Sequence, residues 1–343
     1  MSNTTSDNAA DDFRTAIEAA SVRPLWELHS GPMKTEPTPV PPHIWRWETM
    51  SALIDDAARL VPMEDVERRV LTLTSPPLKD TQSTTTTNLT GALQILLPGE
   101  SAQPHRHSAN ALRFVIEGGG AETIVNGKPC PMNARDMILT PDWTWHAHIH
   151  RGDARIVWFD ALDVQLYRHM DTNFYEQGPP PNLPLQTADD AFAVGGLTPA
   201  GNGETSDSPS DHSPMFRHSW ESVLQAFEAM PAAADGSRKL RYTNPLTGGP
   251  AMRLTECYVL ALARDRETAP YRTTSEAVCV VADGEGTSEI GDHNIAWQRN
   301  DIFTLPHWNW ISHVAATEDA KLFMVTDRDA LSRLGMLRDE TRD

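Results

Sequence analysis

The sequence predicts an all-β-dominated chain, two tandem barrels behind a partly helical N-terminal arm. Three observations carry this. Strand-length runs recur from residue 66 onward, two blocks of those runs are copies of each other, and the first 65 residues have a different, polar and proline-rich texture. A length of 343 residues allows about two domains. The composition shifts place an arm at 1–65, a first barrel at 66–176, a linker and loop at 177–216, and a second barrel at 217–343.

Within the arm, "NAADDFRTAIEAA" has weak helical periodicity, while "GPMKTEPTPVPPHIW" carries too many prolines to be anything but extended. "MSALIDDAARLV" reads as an amphipathic helix with Leu53, Ile54, Ala57, Leu60 and Val61 on one side. From there "RRVLTLTS", "GALQILLPG", "ALRFVIEG", "AETIVNG", "DMILTP" and "ARIVWFDAL" are β-branched or aromatic runs punctuated by Gly, Pro and Asn. Strands at this frequency argue for a sandwich or barrel. "EQGPPPNLPLQTADD" is a linker, residues 196–215 are a low-complexity loop, and "SWESVLQAFEAM" is a helix with Ser219 at its N-cap. A second strand-rich block occupies about 252–328.

Charge narrows the function classes. With 29 basic and 47 acidic residues the net charge is −18, which disfavours nucleic acid and anionic membrane as partners. Cys130, Cys257 and Cys279 are too few and too scattered for a disulfide framework or a cysteine zinc site. The first 25 residues lack a signal-peptide pattern and no run approaches 18 apolar residues, so a cytoplasmic protein is expected.

The stretch "PHRHSANALRFVIEG", residues 104–118, is chemically unusual. Read as one strand, it puts His105, His107 and Arg113 on one face, a lining suited to a metal and an anion. The duplication acts as a control. "VIEGGGAETIVNG…RDMILTPDWTWHAH" aligns with "VADGEGTSEIGD…NDIFTLPHWNWISH": Gly118 falls on Gly284, Asp136 on Asp301, Pro141 on Pro306, and Trp143 and Trp145 on Trp308 and Trp310. The histidines do not carry over. His105 falls on Tyr271, His107 on Thr273, His146 on Ile311 and Arg113 on Cys279. Packing alone does not demand histidines in one copy and Tyr, Thr and Ile in the other, so the first copy is expected to work and the second to support. His148 does recur, as His313, which fits a scaffold role as well as a chemical one. The expected ligands are His105 and His107 from one strand and His146 from a facing sheet. Imidazoles suit divalent iron, zinc, copper and nickel alike. The recurring tryptophans are expected to pack or to meet another subunit.

Two motifs then bring in a family. Gly99–His107 reads G(x)5HxH and Asp136–His146 reads D(x)4P(x)4H. These resemble the two cupin motifs, although Ala111 and Leu112 stand where the usual cupin glutamate would fall. With "HRH…ALRFVIEG", "TPDWTWH", an upstream "ERRVL" and "PPHIWRW", residues 24 to 330 resemble the gentisate and salicylate 1,2-dioxygenases, bicupins to which 1-hydroxy-2-naphthoate dioxygenase is related. The resemblance implies two double-stranded β-helix (jelly-roll) barrels, Fe(II) on three histidines, a small aromatic hydroxy acid and O2 as reactants, ring opening between C1 and C2, and a homotetramer. By the same resemblance Arg113 holds the substrate carboxylate, Arg69 is a second substrate arginine with Arg68 beside it, His148 bonds or moves a proton, and Gln94 lines the pocket. Gentisate dioxygenases commonly read "WHDHG" where this chain reads "WHAHI". Ala147 in place of the acid implies a salicylate without a 5-hydroxyl, such as 5-nitrosalicylate, ahead of gentisate. Strand parity, however, turns position 147 away from 146 and 148. A zinc-dependent isomerase of the same fold and a non-enzymatic storage bicupin are the rival classes.

Overall fold

The computed structural model describes residues 4–28, 35–79, 84–178, 183, 186–192, 197, 199 and 211–342. Most of the loop expected at 196–215 lies outside the described residues. The chain divides into a unit Met1–Thr38, with helices Thr4–Ala19 and Leu25–Leu28, and a unit Pro39–Asp343 that holds both barrels. The helix Trp47–Leu60 falls in the unit that begins at Pro39.

Among the described residues each barrel is one six-stranded and one five-stranded antiparallel sheet. In the first, the six-stranded sheet runs Arg217–His218, Met137–Thr140, Ala111–Glu117, Ile156–Leu162, Thr90–Leu96, Val70–Leu73. The five-stranded sheet runs Tyr175–Gln177, Ser101–His107, His146–His150, Ala121–Val125, Lys128–Met132. The second barrel repeats this order with its own strands.

The six-stranded sheets are buried on both faces, which is why their strands read as nearly unbroken apolar runs. Along Ala111–Glu117, one parity (Leu112, Phe114, Ile116) enters a core shared with the other barrel, where Phe114 and Phe323 stack with centroids 4.1 Å apart. The other parity faces its own barrel interior: Val115 packs there with Ile138, Ile156 and Trp158. Each buried ring contributes about 1.5–3 kcal/mol. The duplication reaches into the backbone. Gly118 and Gly284 both have positive φ (89° and 78°), and a Cβ on either would lie 2.6 Å from the backbone of the residue just ahead of a neighbouring strand, Arg155 or Ala320.

The barrels exchange leaders. Ile44–Trp45 pairs with Ile302–Leu305 of the second barrel before the chain enters the first, and Arg217–His218 pairs with Met137–Thr140 of the first before the chain enters the second. A motif aspartate anchors each leader. Asp301 accepts from the Trp47 backbone N–H (2.8 Å) and Arg46 Nη1 (2.9 Å); Asp136 accepts from the Trp220 N–H (2.9 Å) and Arg217 Nε (2.9 Å). Both carboxylates thus sit at the positive end of a helix, Trp47–Leu60 or Trp220–Ala229, where negative charge is favoured. Ser219 also bonds the Ser222 N–H, as its N-cap position predicts. Among the described residues no helix is long and apolar enough to cross a membrane.

Candidate metal centre

The run 104–118 is two strands, not one. It breaks at Ser108–Asn110, so His105 and His107 lie in the five-stranded sheet and Arg113 in the six-stranded sheet. They still converge, because both sheets present these residues to the same interior. His146 comes from the strand beside His105, in direct register with it, and not from the facing sheet. The pairing slips by one residue between Ala102 and His105, a bulge that lets Ala102 pair with His148 while His105 pairs with His146.

Each imidazole is pinned through Nδ1. His107 donates to the Ala109 carbonyl (2.8 Å), His146 to the Thr144 carbonyl (3.0 Å), and His105 to Glu67 Oε1 (2.7 Å). Pinning Nδ1–H leaves Nε2 with its lone pair, the tautomer that ligates a metal. Ring centroids lie 4.4–5.3 Å apart, and the ligand atoms of all three fall within 4.8 Å of one another. His146 Nε2 is buried with no hydrogen-bond partner. Three convergent nitrogen donors with a buried lone pair fit a divalent transition ion, and among the described residues no carboxylate joins the set.

Burial, reinforced by Arg68, lowers the His105 pKa to about 3; burial, opposed by the Ala109 bond and aided by Arg113, lowers that of His107 to about 4. His146 is lowered for the same leading reason. The ligands are therefore neutral and ready at neutral pH. In metal-free protein the folded state declines protons that the unfolded state accepts below about 6.5. The histidines' contribution to stability is thus full above that value and falls as pH drops toward 4. Asp160 acts oppositely: burial raises its pKa to about 6, so its contribution is lost as pH rises from 4 to 6. NMR titration of the metal-free protein should find the His105 and His107 ring protons unmoved between pH 7.5 and 5.5.

Around the triad the interior is rich in buried donors. Arg113, 3% exposed, donates to Thr140 Oγ1 (2.8 Å), and its Nε lies 3.5 Å from Asp160 with no hydrogen bond of its own. Burial, countered by Asp160, brings its pKa to about 10, so it stays cationic at neutral pH. Trp158 Nε1 donates to Asp160 (3.0 Å). Gln94 Nε2 and His148 Nε2 are also buried without partners. Thr123 donates to Met132 Sδ, so His148 Nδ1–H donates to Thr123 Oγ1 (3.0 Å) and leaves Nε2 as an acceptor. Ser288 Oγ also lies 2.7 Å from His313 Nδ1, so a hydroxyl–imidazole pair at this position is part of the duplicated scaffold. Arg113 Nε and Gln94 Nε2 are buried donors without an acceptor, a lining suited to an oxygen of an anion, whereas the free His148 lone pair suits a donor.

Two expectations need correction. Arg69 does not face the site. It shares parity with Leu71 and Leu73, which enter the inter-barrel core, and it donates to the Ala58 carbonyl at the end of helix Trp47–Leu60 and to Glu100. Arg68 has the opposite parity, and its charge acts on His105, His107, Arg113 and His148. Ala147 is half-buried between buried His146 and His148 and lines a mainly apolar cleft with Ile124, Ile149 and Leu183, which His146 and His148 also border. It does not line the metal centre, as strand alternation requires. Sequence reasoning missed Glu67, Tyr175 and Asp160. Asp160 had a signal, a lone carboxylate in the apolar run "IVWFDAL", where burial demands a cationic partner.

In the second barrel the interior positions are filled. Register places Cys279 and Met324 where the first barrel has Arg113 and Asp160, and Leu260 where it has Gln94. The tryptophans sandwich Arg106 (Trp143 and Trp145) and Arg272 (Trp308 and Trp310) on the side away from the interior, so they serve packing in both copies.

Comparison with known proteins follows from this geometry. Residues 92–163 match the Cupin domain family model. The chain is 35% identical to gentisate 1,2 dioxygenase 1 of Aquipseudomonas alcaligenes, over 96% of this chain and 95% of the relative. It is 33% identical to 5-aminosalicylate 1,2-dioxygenase of Comamonas sp, over 97% and 92%. The solved salicylate 1,2-dioxygenase of Pseudaminobacter salicylatoxidans superposes with a TM-score of 0.87 at 31% identity, covering 96% of this chain and 97% of that one.

Proposed function

Since this chain belongs to the family of gentisate and salicylate 1,2-dioxygenases, ring-cleaving cupin enzymes, we propose that it is Fe(II)-dependent and opens a salicylate-type 2-hydroxybenzoate between C1 and C2, with O2 as second reactant. The observation that carries this reading is the set of three imidazoles, Nδ1 pinned and Nε2 convergent, beside a buried Arg113. Ferrous iron held by His105, His107 and His146 would supply a Lewis acid able to take both reactants.

The rest is the chain's own work. Arg113 Nε, lacking a hydrogen-bond acceptor, donates to an oxygen of the substrate carboxylate, and the charge of Asp160, 3.5 Å away, holds the guanidinium in place. His148 Nε2 accepts the proton of the phenolic hydroxyl, and Gln94 Nε2 donates to a ring-borne oxygen. Arg68 supplies the second positive charge. These cations answer the repulsion that a −18 protein exerts on an anion. With Ala147 outside the centre, the argument against gentisate loses its support. The 35% identity to a gentisate dioxygenase makes gentisate the second reading beside 5-substituted salicylates such as 5-nitrosalicylate. Cytoplasmic location, consistent with three buried free cysteines, and a homotetramer complete the reading.

Anaerobic reconstitution with Fe(II), followed by a panel of salicylate, gentisate, 5-aminosalicylate and 5-nitrosalicylate, tests the proposal. One O2 should be consumed per ring lost for at least one acid. A protein that holds zinc and is inert towards all four would point to the isomerase class. In the same assay Arg68→Met should raise KM about 10–100-fold, the loss of a charge-assisted hydrogen bond. Arg69→Met should instead lower the melting temperature and leave KM near wild type.

A further inference from the structure

The three ligands are not held alike. His107 and His146 are pinned by backbone carbonyls, which any chain with this fold supplies. His105 is pinned by side chains: its Nδ1–H donates to Glu67 Oε1, and the Tyr175 hydroxyl donates to the same oxygen while lying 3.1 Å from Nδ1. Glu67 stands just before the strand Val70–Leu73, and Tyr175 begins the short strand Tyr175–Gln177, which runs antiparallel to the ligand strand with Tyr175 opposite His107 and Gln177 opposite His105. Two segments remote in sequence thus meet at one ring nitrogen. Arg68 bonds the same Glu67 oxygen, so the carboxylate has a competing partner beside it.

The duplication separates this arrangement from the scaffold. The second barrel keeps the strand corresponding to Tyr175–Gln177, as Asp339–Thr341, and keeps its ion pair: Arg106–Glu176 in one copy is Arg272–Glu340 in the other. What it does not keep is the cluster at the ring nitrogen. Asp339 stands in place of Tyr175 and pairs with Arg328 instead. Val70 lies opposite Gln94 and Lys239 opposite Leu260, and counting back three residues from each sets Gly236 in place of Glu67. Tyr271 replaces His105 itself. Glu67 and Tyr175 therefore accompany the histidines and not the fold.

We infer that Glu67 and Tyr175 form a side-chain latch on His105, positioning residues that set how long the centre keeps its metal. The inference rests on the reading of the triad as a metal centre. The latch sits at the rim, with Glu67's side chain 37% and Tyr175 50% exposed, whereas the pins on the other two ligands are internal. Opening the latch frees one ring to turn while two ligands stay in place, which makes His105 the ligand that lets go first. Outer partners of ligating histidines typically govern metal affinity by 10–100-fold.

The test uses full-length protein loaded with Co(II), whose visible absorption reports the ligand set, and measures release to excess EDTA. Glu67→Ala should speed release about 10–100-fold. Tyr175→Phe should speed it about 2–10-fold, the effect of losing one neutral hydrogen bond. Glu176→Gln, which breaks the scaffold ion pair on the same strand, should release Co(II) at the wild-type rate. Wild-type rates in both latch variants, with Co(II) bound normally, would overturn the latch and leave the metal centre standing. So would a Glu176→Gln variant that releases as fast as Tyr175→Phe, because strand loosening would then be the cause. A wild-type protein that takes up no Co(II) or Fe(II) would overturn both readings.

Discussion

Replacing His146 by alanine is expected to yield a folded protein that retains no stoichiometric iron and cleaves aromatic rings at least about 10³-fold more slowly, a loss beyond that of any outer partner. His146 is the ligand with the least freedom. It is 2% exposed, held through Thr144, and in register with His105. Truncation leaves Nε2 of His105 and His107 on one strand, two donors where three are needed. The Thr144 carbonyl loses its partner, and the vacated space can admit water. Metal analysis with circular dichroism and oxygen uptake checks the result. Iron retained at one per chain with undiminished turnover would end the metal-centre reading. The equivalent change in the other barrel, Ile311→Ala, removes only apolar packing and should lower stability without touching iron content.

The second large effect concerns Asp301, a residue far from the chemistry. Its carboxylate is fully buried and accepts from the Trp47 N–H, from Arg46 and, at 3.2 Å, from the Gln298 N–H. Asp301→Ala removes all three bonds and leaves the Trp47 and Gln298 N–H groups without this acceptor, while Arg46 keeps its bond to the Ala296 carbonyl (2.7 Å). Arg46 is half exposed, so the loss comes chiefly from the buried N–H groups left unpaired, and about 1–3 kcal/mol is expected. Urea unfolding measures it. Asp301→Asn, which keeps an acceptor oxygen, should lose less. If the leader exchange were incidental, Asp301→Ala would unfold at nearly the wild-type midpoint.

What the sequence disclosed and what it withheld divide along physical lines. The strands were legible because a half-buried sheet needs alternation and a doubly buried one needs apolar runs. The duplication was legible because its turns need fixed residues, as at Gly118 and Gly284. The triad was legible because histidines appeared in one copy and not in the other. Arg68 and Arg69 were not separable, since parity has no reference until the first residue of the strand is known. The place of His146 beside His105, and not in the facing sheet, is not legible, because strand adjacency is a property of topology, which no local pattern encodes. Ala147 was readable by parity alone, and there the family likeness was the weaker guide. Glu67 and Tyr175 stand 38 and 70 residues from His105, too far for any local pattern to connect them.

The crossed leaders carry one more consequence. A fragment containing only residues 39–176 would present the free edge of Met137–Thr140 together with an idle Ile44–Trp45 extension, each lacking the complement that the other half now provides. Two such fragments could answer each other's need by swapping extensions about a two-fold axis. Covalent continuity thus supplies each half with the strand it lacks, and a cut in the connection leaves that completion to association alone.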